Sequence, residues 1–367
     1  MKIAHLTSVH PRYDTRILLK ECRALATLGN YQVNLIVADG KGDQHSECVR
    51  IFDVNVTKRR INRIIATPWR IWQKARLVDT HIYHFHDPEL IFIGLLLRAS
   101  GKKVIYDVHE DLPRQTLGKY YIPQRLRKIT ALGLELIENF AAKYFDTIVT
   151  ATPHIRDRFL KLDCNAIDVN NYPILSELHT PNLNWQQKEK AVCYVGGITE
   201  IRGIFTMIEA MSQVEGKLFL GGDFSSFQEK EQAIKTQGWS NINELGYLNR
   251  EEVAQTLEKS MAGLVVLHPL INYLDALPVK MFEYMSASLP IIASNFPLWR
   301  QIIEKNNCGI CVDPLNPQEI AQAIQWIFDH PQEAEQIGKN GRKAVEEKYN
   351  WETESKKLLA LYQELLA

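Results

Sequence analysis

The residues best placed by type and spacing to do chemistry are Lys280 and Glu283, with Asp275 shortly before them. They belong to the stretch 276–294, ALPVKMFEYMSASLPIIAS, which reads as loop, helix, turn and buried strand. Pro278 stands where a first helical residue tolerates proline, since its missing N–H would be unpaired there anyway. Val279, Phe282 and Met285 fall on one helical face, and Lys280, Glu283 and Ala287 on another. A helix N-terminus after a βα loop offers free N–H groups and a positive dipole end, a natural phosphate site. Lys280 adds a cation for that phosphate, and Glu283 can accept hydrogen bonds from vicinal ribose hydroxyls. The same spacing also fits an ordinary amphipathic helix with a solvated Lys and Glu.

Those residues need a scaffold, and the chain supplies one by alternation. In the N-terminal half, residues 2–7, 32–38, 81–86, 103–109 and 147–151 read as strands, with helical patterns between them. One of these helices is amphipathic over 15–28 and ended by Gly29. Repeated βα units predict a parallel sheet covered on both faces, with ligands at the carboxyl ends of its strands. That rule selects His10, Arg12, Tyr13, Asp14 and Arg16 after the first strand. It selects Asp87 and Glu89 after the third, and Glu110 and Asp111 after the fourth. Asp87 before Pro88 reads equally as a helix cap.

Residues 170–177 form a plausible hinge, and a second βα series follows at 191–197, 217–222, 242–247, 263–268, 290–294 and 308–313. Gly196-Gly197 and Gly221-Gly222 end two of its strands, where glycine permits close backbone approach to a ligand or merely a tight turn. The predicted organisation is a Rossmann-like domain over 1–172, a linker over 173–189, a second Rossmann-like domain over 190–348 and a last helix over 349–367.

Composition bounds the function. A chain of 367 residues with 46% hydrophobic and 23% charged residues is of the soluble globular kind, long enough for two domains. It has no run of eighteen apolar residues, and MKIAHLTSVHPRYD turns polar too soon for a signal peptide. Six scattered cysteines point to reduced thiols in a cytoplasm, with Cys308 and Cys311 read as core-strand thiols. Charge is uneven: residues 1–180 carry 26 Lys and Arg against 19 Asp and Glu. The basic stretch 58–76, KRRINRIIATPWRIWQKAR, reads as amphipathic helix, with a second short helix begun at Thr67-Pro68. Arg59, Arg60, Arg63, Trp69, Arg70, Trp72 and Lys74 there fit an anionic membrane surface, or one core helix with a solvated basic face. No nucleic-acid motif is present.

His84-Phe-His-Asp-Pro-Glu89, Tyr106-Asp-Val-His-Glu-Asp111, Tyr194-Val-Gly-Gly-Ile-Thr-Glu-Ile-Arg-Gly203 and the 275–283 element together resemble family 4 glycosyltransferases of the GT-B type. The resemblance covers nearly the whole chain. It implies two Rossmann-like domains facing across a cleft, with the last helix crossing back to the first. It further implies a nucleotide-sugar donor on the C-terminal domain, an acceptor on the N-terminal one, retention of configuration, and no metal or other cofactor. The family's Glu-x7-Glu pair is Asp275 and Glu283 here. Of its basic pair on the diphosphate, the first position is Gly197 and the second Arg202. Its glycine-rich first loop is replaced by 9–16, from which Arg12 or Arg16 could reach the cleft.

The implied donor set is Gly197, Arg202, Gly222, Asp275, Leu277, Lys280 and Glu283, and the implied acceptor set is Arg12, Asp14, Arg16, Asp87, Glu110 and Asp111. His109 matches the family's cleft histidine, though it also reads as a satisfied core residue. With Arg202, Lys280 and Asp275 it makes the expected catalytic group. The expected activity is transfer of a hexose-type sugar, from UDP on the resemblance, to a lipid-linked glycan in surface polysaccharide assembly. That work would be done in the cytoplasm, with peripheral contact to the inner membrane face. The alternatives are a nucleotide-sugar epimerase of the same fold and a non-catalytic nucleotide-binding partner of another transferase.

Overall fold

The computed structural model describes residues 1–55, 60–118, 122–178 and 185–367, excepting the side chains of 60–64. Arg59, and the side chains of Arg60 and Arg63, thus lie outside the described part. The chain divides into two units, Met1–Asn171 with Thr353–Ala367, and Tyr172–Glu352.

The first unit is built on β1 (Lys2–Leu6), β2 (Gln32–Val37), β3 (Gln44–Ser46), β4 (Val49–Asp53), β5 (Ile82–Phe85), β6 (Lys103–Val108), β7 (Thr147–Thr150) and β8 (Ala166–Asp168). Their order is β3-β4-β2-β1-β5-β6-β7-β8, all parallel except the β3–β4 pair. The chain runs outward from β1 to β4 and returns beside β1 as β5, so the strand order reverses between β1 and β5. Such a reversal opens a crevice at the carboxyl ends of the two strands. The inner strands are buried on both faces, as helix-covered parallel strands must be.

The second unit contains β9 (Ala191–Val195), β10 (Lys217–Gly221), β11 (Ile242–Gly246), β12 (Ala262–Val265), β13 (Ile291–Ser294) and β14 (Gly309–Val312), in the parallel order β11-β10-β9-β12-β13-β14. Its reversal falls between β9 and β12. Alternate residues of β9 feed opposite cores. Ala191 and Cys193 join the cluster around Phe282 and Trp299, while Val192 and Tyr194 join the one around Met207 and Ile324.

Several expectations need correction. The strands β3, β4 and β8 add to the expected set: β3 and β8 have only three residues each, and β4 carries no long apolar run. β12 ends at Val265, not 268, because His268 donates to the Ile201 carbonyl and Pro269 has no N–H for a ladder. The helix after β1 is wound as a π-helix over Thr15–Cys22 before continuing as α-helix over Arg23–Thr27. The basic stretch forms one helix, Arg60–Val78, with Pro68 inside it, not two. Ile71 and Ala75 are its buried anchors. Trp72 is half-buried, and Lys74 turns back to Asp43 at 3.6 Å, so neither belongs to an outward face. Trp69 and Arg70 are exposed. Pro278 is the N-cap of the Val279–Ser286 helix and not its first residue.

Candidate functional site

At the β9–β12 reversal the backbone is stripped of side chains. Gly196 and Gly222 have φ of 135° and 130°, and a Cβ on Gly222 would lie 2.0 Å from the Gly196 carbonyl oxygen. Only glycine fits such an approach. Two cations converge on this ledge. Lys280 Nζ lies 3.1 Å, and Arg202 Nη1 4.0 Å, from the point a Gly196 side chain would occupy. Arg202 also donates to the Gly197 carbonyl at 3.3 Å.

Lys280 is half-buried along its stem, but its ammonium nitrogen is out of solvent and has no hydrogen-bond partner. It sits 3.6 Å from the centroid of the Tyr194 ring, whose hydroxyl donates to Gly197 O at 2.8 Å. Burial, and then the Arg202 charge, push the Lys280 pKa well below its ordinary value. The nearest acid of the motif does not neutralise it. Glu283 instead pairs with Arg250 at 2.7 Å, and Arg250 reaches Glu177 at 2.6 Å. No side chain caps the Val279–Ser286 helix. The ledge thus gathers two cations, and the Glu283 charge that acts on Lys280 is itself shared with Arg250.

Around it, Leu277 is half-buried against the core and Asp275 lies exposed at the end of the Ile271–Leu274 turn. A cavity of about 330 Å³ adjoins Gly222, lined by Asp223, Phe224, Lys230, Glu244 and Gly246.

At the β1–β5 reversal of the first unit, a buried polar chain forms. His84 Nδ1 lies 2.9 Å from the Tyr362 hydroxyl, which lies 3.2 Å from His5 Nε2. His5 Nδ1 lies 2.9 Å from His86 Nε2, and His86 Nδ1 3.2 Å from Asp107. One direction of donation, from His84 towards Asp107, satisfies every link. Burial pushes the His86 pKa down to about 4, against the pull of Asp107. His109 Nε2 lies 3.2 Å from the same Asp107 oxygen and 3.1 Å from His86 Nδ1.

Most of the expected acceptor residues serve the scaffold here. Arg12 is buried, and its guanidinium is taken up by Asp39, Gln44 and the Gly42 carbonyl. Arg16 is buried and bonds both Asp107 oxygens and the Val169 carbonyl. Asp14 caps the helix after β1 through the Arg16 and Ile17 amides. Asp87 ties β5 to the end of β1, accepting from Thr7 Oγ1 at 2.8 Å and the Ser8 amide at 2.5 Å. Asp111 pairs with Arg114 and Arg158. Glu110 is exposed and bonded by Gln115. These are corrections for Arg12, Arg16 and Asp87 in particular: each is buried with its charge already spoken for.

Among the described residues, Glu21, His84, His86 and Asp107 could hold a divalent metal, their ligand atoms lying within 4.8 Å of one another. Arg16 Nε, 3.0 Å from Glu21 and 3.0 Å from Asp107, already supplies the positive charge there. Sequence reasoning missed Arg250, Tyr194, His5 and Tyr362. Arg250 carries no local signal, whereas His84 and His86 stood inside a motif whose roles went only to its neighbours.

Two Rossmann-like units of this kind in one chain define the GT-B architecture. Residues 15–170 match the family model described as Glycosyltransferase Family 4, and residues 176–344 match Glycosyl transferases group 1. The chain belongs to this glycosyltransferase family. D-rhamnosyltransferase WbpZ of Pseudomonas aeruginosa is 24% identical over 72% of this chain and 68% of its own. O-antigen chain mannosyltransferase C of Escherichia coli is 20% identical over 85% and 84%. Among solved structures, sucrose-phosphate synthase of Thermosynechococcus elongatus shares the fold with a TM-score of 0.79 at 19% identity, covering 100% of this chain and 99% of that one. The HepE protein of Anabaena, in complex with UDP and glucose, does so at 0.74 and 14% over 99% and 100%. The protein is a glycosyltransferase. No helix among the described residues is long and apolar enough to cross a membrane.

Proposed function

We propose that the protein moves a hexose-type sugar, with retention and without a metal, from a nucleoside diphosphate to a hydroxyl of a growing lipid-linked glycan. The observation that carries this reading is the pair Lys280 and Arg202 converging on a glycine ledge, with the Lys280 ammonium buried and without a hydrogen-bond partner among the described residues. Breaking the anomeric C–O bond places a further negative charge on the departing diphosphate. Preorganised cations and helix amides act most strongly on charge that develops in this way. The electron pair of that bond leaves with the phosphate oxygen, the acceptor oxygen bonds the anomeric carbon from the same face, and the departing phosphate takes the acceptor's proton.

Glu283, held by Arg250, receives the ribose hydroxyls, and Asp275 the sugar hydroxyls. His109 orients the acceptor in the acceptor-binding unit. UDP is the proposed leaving group of the donor, and the UDP and glucose bound to HepE support it by likeness of fold alone. The proposed place of work is the cytoplasmic side of the membrane.

The test is turnover of radiolabelled nucleoside-diphosphate hexoses into a lipid-extractable product. Lys280→Ala and Glu283→Gln should each abolish most of it. Undiminished turnover in both variants overturns the assignment.

A further inference from the structure

The Gln124–Ala142 helix of the first unit is turned inside out. An amphipathic surface helix normally buries its large apolar stripe and exposes its polar one. This helix buries Ala131, Ala141, Ala142 and the Glu138 carboxylate instead. Leu126, Ile129, Leu132, Leu136, Ile137 and Phe140 all point outward, each between 51% and 69% exposed. Tyr144, just past the helix end, continues the stripe, and Phe92 stands exposed on the neighbouring Ile91–Ala99 helix. Propensity does not explain this, because these side chains would serve the helix equally well facing the core. A contiguous exposed apolar face of this size marks an interaction surface.

Charge selects the occupant. The exposed charged residues of this helix and its first flanking position are Arg125, Lys128 and Lys143, all cationic. Its two acids are withdrawn: Glu138 is buried against Arg158, and Glu135 pairs with Arg114 at 2.9 Å. An apolar stripe flanked only by cations suits an anionic lipid surface, with the helix lying in the interface plane. A second copy of the chain fits less well, since pairing the helices in either orientation brings cations together.

We propose that the Gln124–Ala142 helix docks the protein on an anionic bilayer, its Leu, Ile and Phe side chains entering the headgroup region. The helix belongs to the first unit and carries none of the donor residues, and its test does not depend on turnover. The experiment is co-sedimentation of the full chain with phosphatidylcholine vesicles, with and without phosphatidylglycerol, at low and high salt. The expected result is binding to the anionic vesicles that weakens at high salt. Ile129→Glu with Ile137→Glu should cut the bound fraction at least tenfold, and Arg125→Glu with Lys128→Glu should remove its salt dependence. The altered residues are exposed, so the melting temperature should stay unchanged. Equal sedimentation with and without anionic lipid overturns the proposal. So does vesicle binding unaffected by the Ile129→Glu and Ile137→Glu changes, or a shift of a native dimer to monomer by those changes in place of a lipid effect.

Discussion

The Lys280 ammonium lies 3.6 Å from the centre of the Tyr194 ring, with the Arg202 guanidinium near it and no hydrogen-bond partner among the described residues. A ring face attracts a cation, but it does not replace the hydration that burial removes. The site therefore holds Lys280 at a cost that a bound anion would offset.

This has a testable sign. The folded-state pKa of Lys280 is depressed from its ordinary 10.5, so the folded protein binds fewer protons than the unfolded chain between the two values. The stability lost to the buried ammonium is therefore regained as pH rises through that window. A diphosphate at the ledge raises the pKa again and takes up a proton. Calorimetry with UDP at about pH 9, in two buffers of different ionisation enthalpy, should give different apparent heats. Equal heats would remove Lys280 from the anion site. Lys280→Met should stabilise the unliganded protein by ~1–3 kcal/mol while UDP binding is lost.

The two glycines of the ledge separate strain from crowding. Gly196→Ala places a side chain at a φ of 135° and should destabilise the fold by about 1–3 kcal/mol. At Gly197 the backbone tolerates Ala, but the added Cβ would stand 2.9 Å from Arg202 Nη1. Gly197→Ala should leave the melting temperature nearly unchanged and lower kcat by displacing the guanidinium. Equal thermal losses in the two variants would contradict this account.

Glu283 is held from behind by Arg250, itself held by Glu177. Glu283→Gln removes the charged acceptor and should weaken UDP binding by ~1.5–3 kcal/mol. Arg250→Ala keeps the carboxylate but frees it to turn. We expect a smaller loss, seen in KM for the donor more than in kcat. Donor titrations of both variants distinguish acceptor from positioner.

In the first unit, Asp107 and Glu21 share one guanidinium but are pushed in opposite directions. The Asp107 pKa is held well below its ordinary value despite burial, chiefly by Arg16. Burial drives Glu21 well above its own, and Asp107's charge adds to that. Asp107→Asn leaves Arg16 short of its counter-charge and should cost roughly 3–5 kcal/mol. Glu21→Gln puts a neutral isostere where burial already disfavours the charged acid, and should cost less, under about 1 kcal/mol. Urea melts of the two variants provide the comparison, and a similar loss in both would mean that Glu21 is charged.

Much of the candidate site was legible beforehand. The spacing from Asp275 to Glu283 and the double glycines after β9 and β10 mark local events, a helix start and a close backbone approach, which short stretches encode on their own. The acceptor residues were less legible. The rule that ligands gather at strand ends selects positions, but it does not say which charges there are already paired. Arg12 meets Asp39 across 27 positions of chain, and Arg16 meets Asp107 across 91.

Alone, then, the sequence determined the two parallel-sheet units, the glycine ledge and the family, because periodicity, turn chemistry and motif spacing are local properties. Only the tertiary structure decided the rest. It set Lys280 and Arg202 around one glycine, gave Glu283 to Arg250, linked Tyr362 to His84 across 278 residues, and turned the leucines of the Gln124–Ala142 helix outward. The reason is physical. Which face of a helix meets the sheet, and which partner neutralises a buried charge, depend on elements brought together only when the chain folds.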